Sequence, residues 1–331
     1  MFDTLGRVLV FFAFIGLGAL LVKLKRLNAQ GLDGLSAYFY WLAFPCWLMI
    51  SFSRLPHFDI TMAMPILAYL AAMVLTGAIV VIATRLFKSR KDDAIAAGMA
   101  GFINNSAFLG IPIALSLFGP EVSRIGPLVV AADFLILFSI GCAGLAKASG
   151  KTFKAALAHT AKNPTVIGAL TGVACMLIGF RFPLPVENAL DILGKSGPPV
   201  ALVALGGMLA LMPVTNLTRP DATSAIAIIG KILLAPALVA LVLSLLRVDP
   251  LTLRVCVFLA ATPTAVSVFI QTKMYGLWFE GAAKTVAQST LISLFTLSAL
   301  ALLLRMEYDY FGEVDVPASM PPSILNSEPV I

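Results

Sequence analysis

Two short stretches set polar side chains beside a proline in the middle of otherwise apolar sequence. The first reads Gly101-Phe102-Ile103-Asn104-Asn105-Ser106-Ala107-Phe108-Leu109-Gly110-Ile111-Pro112, and the second reads Thr262-Pro263-Thr264-Ala265-Val266-Ser267. A proline lacks an amide hydrogen and collides with the carbonyl four residues back, so each stretch is expected to interrupt a helix. Gly110 adds backbone freedom at the first break. Irregular backbone deep in a hydrocarbon layer survives only where protein or a wet cavity covers it. The amides of Asn104 and Asn105, the hydroxyls of Ser106, Thr262, Thr264 and Ser267, and the main chain freed around Pro112 and Pro263 are then grips for a small solute. A half-helix amino terminus at that depth favours an anionic group. The bland alternative is that Asn104, Asn105 and Ser106 join helices by interhelical hydrogen bonds.

Two ionisable residues stand inside apolar spans. Asp133 lies about nine residues into its span, too deep for a short side chain to reach water, and suits either a proton or cation path or a neutral, hydrogen-bonded structural role. Lys231 has a stem long enough to snorkel to an interface, which is the expected role. Lys273 and Lys284 read as cytoplasmic anchors. Cys46, Cys142, Cys175 and Cys256 all fall in apolar spans without metal-ligand spacing and read as small hydrophobes, so neither a metal nor a cofactor is expected.

The elements that must position these residues follow from composition. The chain has 331 residues, 60% hydrophobic and 12% charged, with a mean hydropathy of +0.97, far from the roughly one-quarter charged residues of soluble domains. Uncharged runs of about 18 residues or more cross a hydrocarbon core roughly 30 Å thick. Seven such runs occur, at 34–53, 60–84, 94–120, 163–180, 196–218, 255–272 and 285–304, and three shorter or singly charged ones at 8–22, 125–146 and 222–246. Ten membrane-spanning helices are expected, with the two proline-broken stretches in the fourth and ninth. Fourteen Lys and Arg residues fall in the loops after the odd-numbered spans and six in the alternate loops, which places both chain ends outside by the positive-inside rule. The net charge of +6 is therefore a topology signal and not a nucleic-acid footprint.

Prolines recur in matched order: Pro45, Pro65 and Pro112 in the first half, Pro199, Pro236 and Pro263 in the second. Five helices per half force opposite orientations, so the duplication is expected to be an inverted repeat, a common blueprint of secondary transporters. This divides the chain into repeats at 1–150 and 151–306. The segment 307–331 has the composition of a disordered acidic tail. No nucleotide-binding loop, zinc motif, nucleophile elbow or dinucleotide fingerprint occurs, so an enzyme reading has no residue to rest on.

The string Asn105-Ser106-Ala107-Phe108-Leu109-Gly110-Ile111-Pro112-Ile113 resembles the signature of the auxin efflux carrier family, the bacterial relatives of plant auxin transporters. Asn163-Pro164, Pro199-Val200-Ala201-Leu202 with Gly206, Lys231 before Pro236, Pro263 with Tyr275-Gly276, and Ser289-Thr290 with Ser293 extend the resemblance through most of the chain. It implies an all-α fold of ten helices as a five-plus-five inverted repeat, shared with bile-acid symporters and sodium/proton antiporters. In that fold the fourth and ninth helices cross at their breaks, and helices three to five and eight to ten move against a scaffold. Carried over by position, Pro112 and Pro263 are the crossing prolines, Asn104, Asn105 and Ser106 stand beside the solute, and Asp133 belongs to the moving part. The expected activity is secondary transport of a small organic anion, a mono- or dicarboxylate such as malate, malonate or an auxin-like acid, coupled to a proton, to sodium or to neither. A homodimer in a bacterial inner membrane is the assembly that such relatives suggest. The rival class is a receptor, channel or assembly component without alternating access.

Overall fold

The computed structural model describes residues 2–54, 60–119, 122–211 and 221–312. Helix α1 covers Phe2–Lys23, α2 Ala29–Ser53, α3 Ala63–Leu86, α4 Lys91–Phe102 and α5 Ile111–Phe118. Helix α6 runs from Val122–Ala132 through Asp133–Leu137 to Phe138–Ala148. Then come α7 Phe153–Ala161, α8 Pro164–Leu177, α9 Leu184–Leu211 and α10 Ala222–Leu245. The chain closes with α11 Pro250–Ala260, α12 Val266–Tyr275 and α13 Phe279–Gly312. Helices α2, α3, α9, α10 and the 125–148 part of α6 are each long and apolar enough to cross a membrane. The fourth and ninth apolar runs are each split into two helices, α4 with α5 and α11 with α12.

Several bounds differ from the apolar runs for local reasons. Asn28 caps α2 by accepting from the Gly31 amide at 2.9 Å, which starts the helix before its apolar stretch. Helix α9 begins at Leu184, ahead of the uncharged run at 196, with Glu187, Asp191 and Lys195 on its first turns. Arg54 at the end of α2 pairs with Glu187 at 2.6 Å and Asp191 at 3.5 Å. Those charges therefore belong to a helix end and not to a loop. Helix α13 includes residues 307–312, the start of the segment expected to be a disordered tail, while 212–220 and 313–331 lie outside the described residues.

Among the described residues, four wide turns with hydrogen bonds from residue i+5 to residue i punctuate the helices: Phe39–Ala43 in α2, Ser106–Gly110 before α5, Asp133–Leu137 in α6 and Gly230–Leu234 in α10. Three precede Pro45, Pro112 and Pro236 by a residue or two. Proline removes one i to i−4 bond, and the wider turn re-routes the carbonyls it strands. Among them the Phe44 amide reaches Phe39 O and the Ala235 amide reaches Gly230 O.

The helices pack in two groups. In one group α9 packs against α1 and α2, and α2 against α8; in the other α3 to α6 pack with α10 to α13. Within the first group α1 and α9 approach backbone to backbone, and a Cβ on Gly206 would stand 1.9 Å from the Ile15 carbonyl oxygen. Aromatic rings fill part of the seam between groups, with Phe44 of α2 edge-on to Phe134 of α6 at 5.2 Å.

Candidate functional site

The two breaks meet. Helix α4 ends at Phe102, and Ile103 turns extended, with φ −91° and ψ 118°. On the other side α11 ends at Ala260, and Ala265 is extended before α12 begins. Between them Asn104 and Thr264 form an antiparallel bridge. The Asn105 amide donates to Pro263 O at 2.9 Å, and the Ala265 amide to Ile103 O at 3.2 Å. Two interrupted segments thus satisfy one another's main chain at a buried place.

Side chains take up most of the remainder. Pro263 cannot donate to Leu259 O, and the Thr262 hydroxyl bonds that oxygen at 2.7 Å instead. The Thr264 hydroxyl donates to Ala100 O near the end of α4 at 2.8 Å, and the Thr264 amide donates to Ser289 Oγ of α13 at 3.2 Å. Gly110 closes the wide turn by donating to Asn105 O at 3.1 Å. A Cβ there would meet the side-chain methyls of Leu259 at 2.8 Å and Thr262 at 2.9 Å, so the second segment approaches closely at 110 and a larger residue would have to push them aside. Pro112 sits in the first turn of α5.

Asp133, for which the sequence offered no partner, sits at this crossing and is 3% exposed. Its Oδ1 accepts from the Tyr69 hydroxyl of α3 at 2.8 Å. Its Oδ2 accepts from Ser106 Oγ at 2.9 Å and Asn104 Nδ2 at 3.2 Å. Asn104 Nδ2 also reaches Tyr69 Oη at 2.6 Å. Tyr69 was missed because nothing local marks it. It stands in α3, 64 positions before the carboxyl group it contacts.

Lys231 does not snorkel. It is fully buried, and its ammonium donates to Ala260 O, the last carbonyl of α11. The wide turn at 230–234 contains it, and the negative end of the α11 dipole gives it an electrostatic partner. Lys284 is likewise buried and not an exposed anchor. Lys273 pairs with Asp33 of α2 at 2.9 Å.

All the polar residues singled out at the crossing are buried, including Asn105 at 4% and Ser267 at 2% exposure. Asn104 Oδ1, Asn105 Oδ1 and Ser267 Oγ have no hydrogen-bond partner among the described residues. A cavity of about 360 Å³ opens nearby between α3, α6 and α8, lined by apolar side chains such as Leu70, Ala132 and Val173.

Among the described residues the chain is helical, with several helices long and apolar enough to cross a membrane and two broken segments crossing at a buried polar site, the architecture of an integral, multi-pass membrane protein. The family of membrane transport proteins matches residues 4–155 and 148–301, and the chain belongs to that family, the auxin efflux carriers. A protein of Rhizobium meliloti (strain 1021) named "Putative malonate transporter" is 31% identical over 314 residues, 92% of this chain and 97% of that one. An "Uncharacterized transporter" of Methanocaldococcus jannaschii is 22% identical over 239 residues, 71% of this chain and 76% of the other.

Proposed function

We propose that the chain is a secondary transporter that moves a small organic anion, of malonate or malate size, by alternating access. In this reading ten spans form a five-plus-five inverted repeat, and α3 to α6 with α10 to α13 rock against α1, α2, α8 and α9. Both chain ends lie outside the bacterial inner membrane. The observation that carries the reading is the buried Ser267 hydroxyl, without a partner among the described residues, at the amino end of α12 where the broken segments cross.

Four half-helix ends converge there, and three already have partners. Thr264 serves the carboxyl end of α4, Lys231 that of α11, and the Asp133 carboxylate stands by Ser106 at the head of the turn into α5. The amino end of α12, with Ser267 in its first turn, is left for cargo. A relative named for malonate supports the anion class. Asp133 is the candidate for a coupling proton, because the Tyr69 and Ser106 hydroxyls can turn from donors to acceptors when the carboxylate takes one up.

Purified protein in proteoliposomes should show saturable uptake of labelled malonate and counterflow. Asn105→Ala should lower saturable uptake about tenfold or more, the worth of one charge-assisted hydrogen bond, with an unchanged thermal unfolding midpoint. Wild-type kinetics in the variant would remove the site assignment. Flux that rises linearly without counterflow would make the protein a channel.

A further inference from the structure

A second orphaned polar group lies one turn along α12 from Ser267. Gln271 is 1% exposed, and its Nε2 has no partner among the described residues. The orientation of that amide is fixed from the main chain outward. Asn163 caps α8, its Oδ1 accepting from the Thr165 amide at 2.9 Å, so its Nδ2 must point the other way. It points at Gln271 Oε1, 3.3 Å distant, and the Cys142 thiol approaches the same oxygen at 3.7 Å. Reversing Gln271 would set two NH₂ groups face to face, and reversing Asn163 would strip the helix cap. Two donors therefore hold the oxygen, and the NH₂ is left over as a buried donor. Donors stranded in a protein interior are uncommon, and each calls for an acceptor.

Residues four apart share a helix face, and Ser267 and Gln271 are about 6 Å apart along the axis. Two free polar groups at that separation, one at the amino end of α12 and one further along, match an elongated acceptor with an oxygen cluster at each end. Gln271 also faces the seam, since Asn163 belongs to the group of α1, α2, α8 and α9 while Cys142 and Gln271 belong to the other.

We propose that Gln271 binds the second carboxylate of the cargo, so that the site selects short dicarboxylates over monocarboxylates, with the Ser267 hydroxyl and the amino end of α12 holding the first. The proposal rests on the carrier reading and deepens it. Its test is a comparison of malonate and acetate uptake in proteoliposomes by the wild type and by Gln271→Leu. Wild-type uptake of labelled malonate should be inhibited by unlabelled dicarboxylates at concentrations at least tenfold below those needed for acetate. Gln271→Leu should raise the malonate KM about tenfold and move the acetate KM less than twofold. An equal rise for both acids, or none for either, overturns the proposal and gives Gln271 a purely structural role. Should the variant fail to fold, the wild-type competition series still decides, because equal potency of mono- and dicarboxylates sinks it. A wild type that moves neither acid strikes the carrier reading itself, and that result is told apart from failure of Gln271 by its appearing without any substitution.

Discussion

Asp133 holds its carboxylate among three side-chain donors, the hydroxyls of Tyr69 and Ser106 and the amide of Asn104. An asparagine there offers one acceptor oxygen and one NH₂, so a donor would face a donor until the network re-forms. That rearrangement costs about 1 to 3 kcal/mol. Asp133→Asn should therefore lower the thermal midpoint yet still fold, and if Asp133 carries the coupling proton uptake by the variant should lose its dependence on pH. A pH profile parallel to wild type in the folded variant would return Asp133 to a structural role. The depth of Asp133 in its apolar run was enough to single it out, but its partners were not legible, because Tyr69 is remote in sequence and its hydroxyl is one of six tyrosines'. Lys231 was misread for a related reason. A long stem allows snorkelling, and only the ending of α11 beside it supplies the carbonyl that makes burial tolerable.

At the scale of elements, proline was the informative letter. The interruptions near Pro112 and Pro263 were expected from loss of an amide hydrogen, and both apolar runs are split there. The wide turns before Pro45 and Pro236 were not expected, since those helices continue and the sequence does not say how stranded carbonyls are re-routed. Helix α9 shows the converse limit: hydropathy marks only the part in the apolar layer, while Arg54 of α2 pairs with the charged turns beyond it. Gly206 was noticed only through family resemblance, and its physical reason is the α1 backbone. With Cβ due to fall 1.9 Å from Ile15 O, Gly206→Leu must part the two helices, at a cost of about 1 to 3 kcal/mol. A clear fall in the detergent thermal midpoint is expected, and an unchanged one would mean that α1 can shift freely.

The whole molecule is organised about one seam. Aromatic rings of α2 and α6 meet across it, the Asn163–Gln271–Cys142 cluster spans it, and at another place Lys273 of α12 reaches Asp33 and Ser36 of α2 at 2.9 and 3.3 Å. The sequence presented Lys273 as a membrane anchor, but it is 14% exposed and bonded to the opposite group. Asp33 is 67% exposed, so the pair adds little to folding, of order 0.5 kcal/mol. A contact that exists in one arrangement of the two groups and breaks in the other has a second effect, because its whole energy biases the balance between arrangements. Loss of about 0.5 kcal/mol changes that balance roughly twofold. Asp33→Ala should therefore leave the thermal midpoint nearly unchanged while speeding amide hydrogen exchange about twofold in residues 29–38 and 266–275, next to the cavity of about 230 Å³ that Lys273 and Asp33 line. Exchange identical to wild type in both segments would mean that the seam does not open at this end, and would remove Lys273 from the motion proposed for transport.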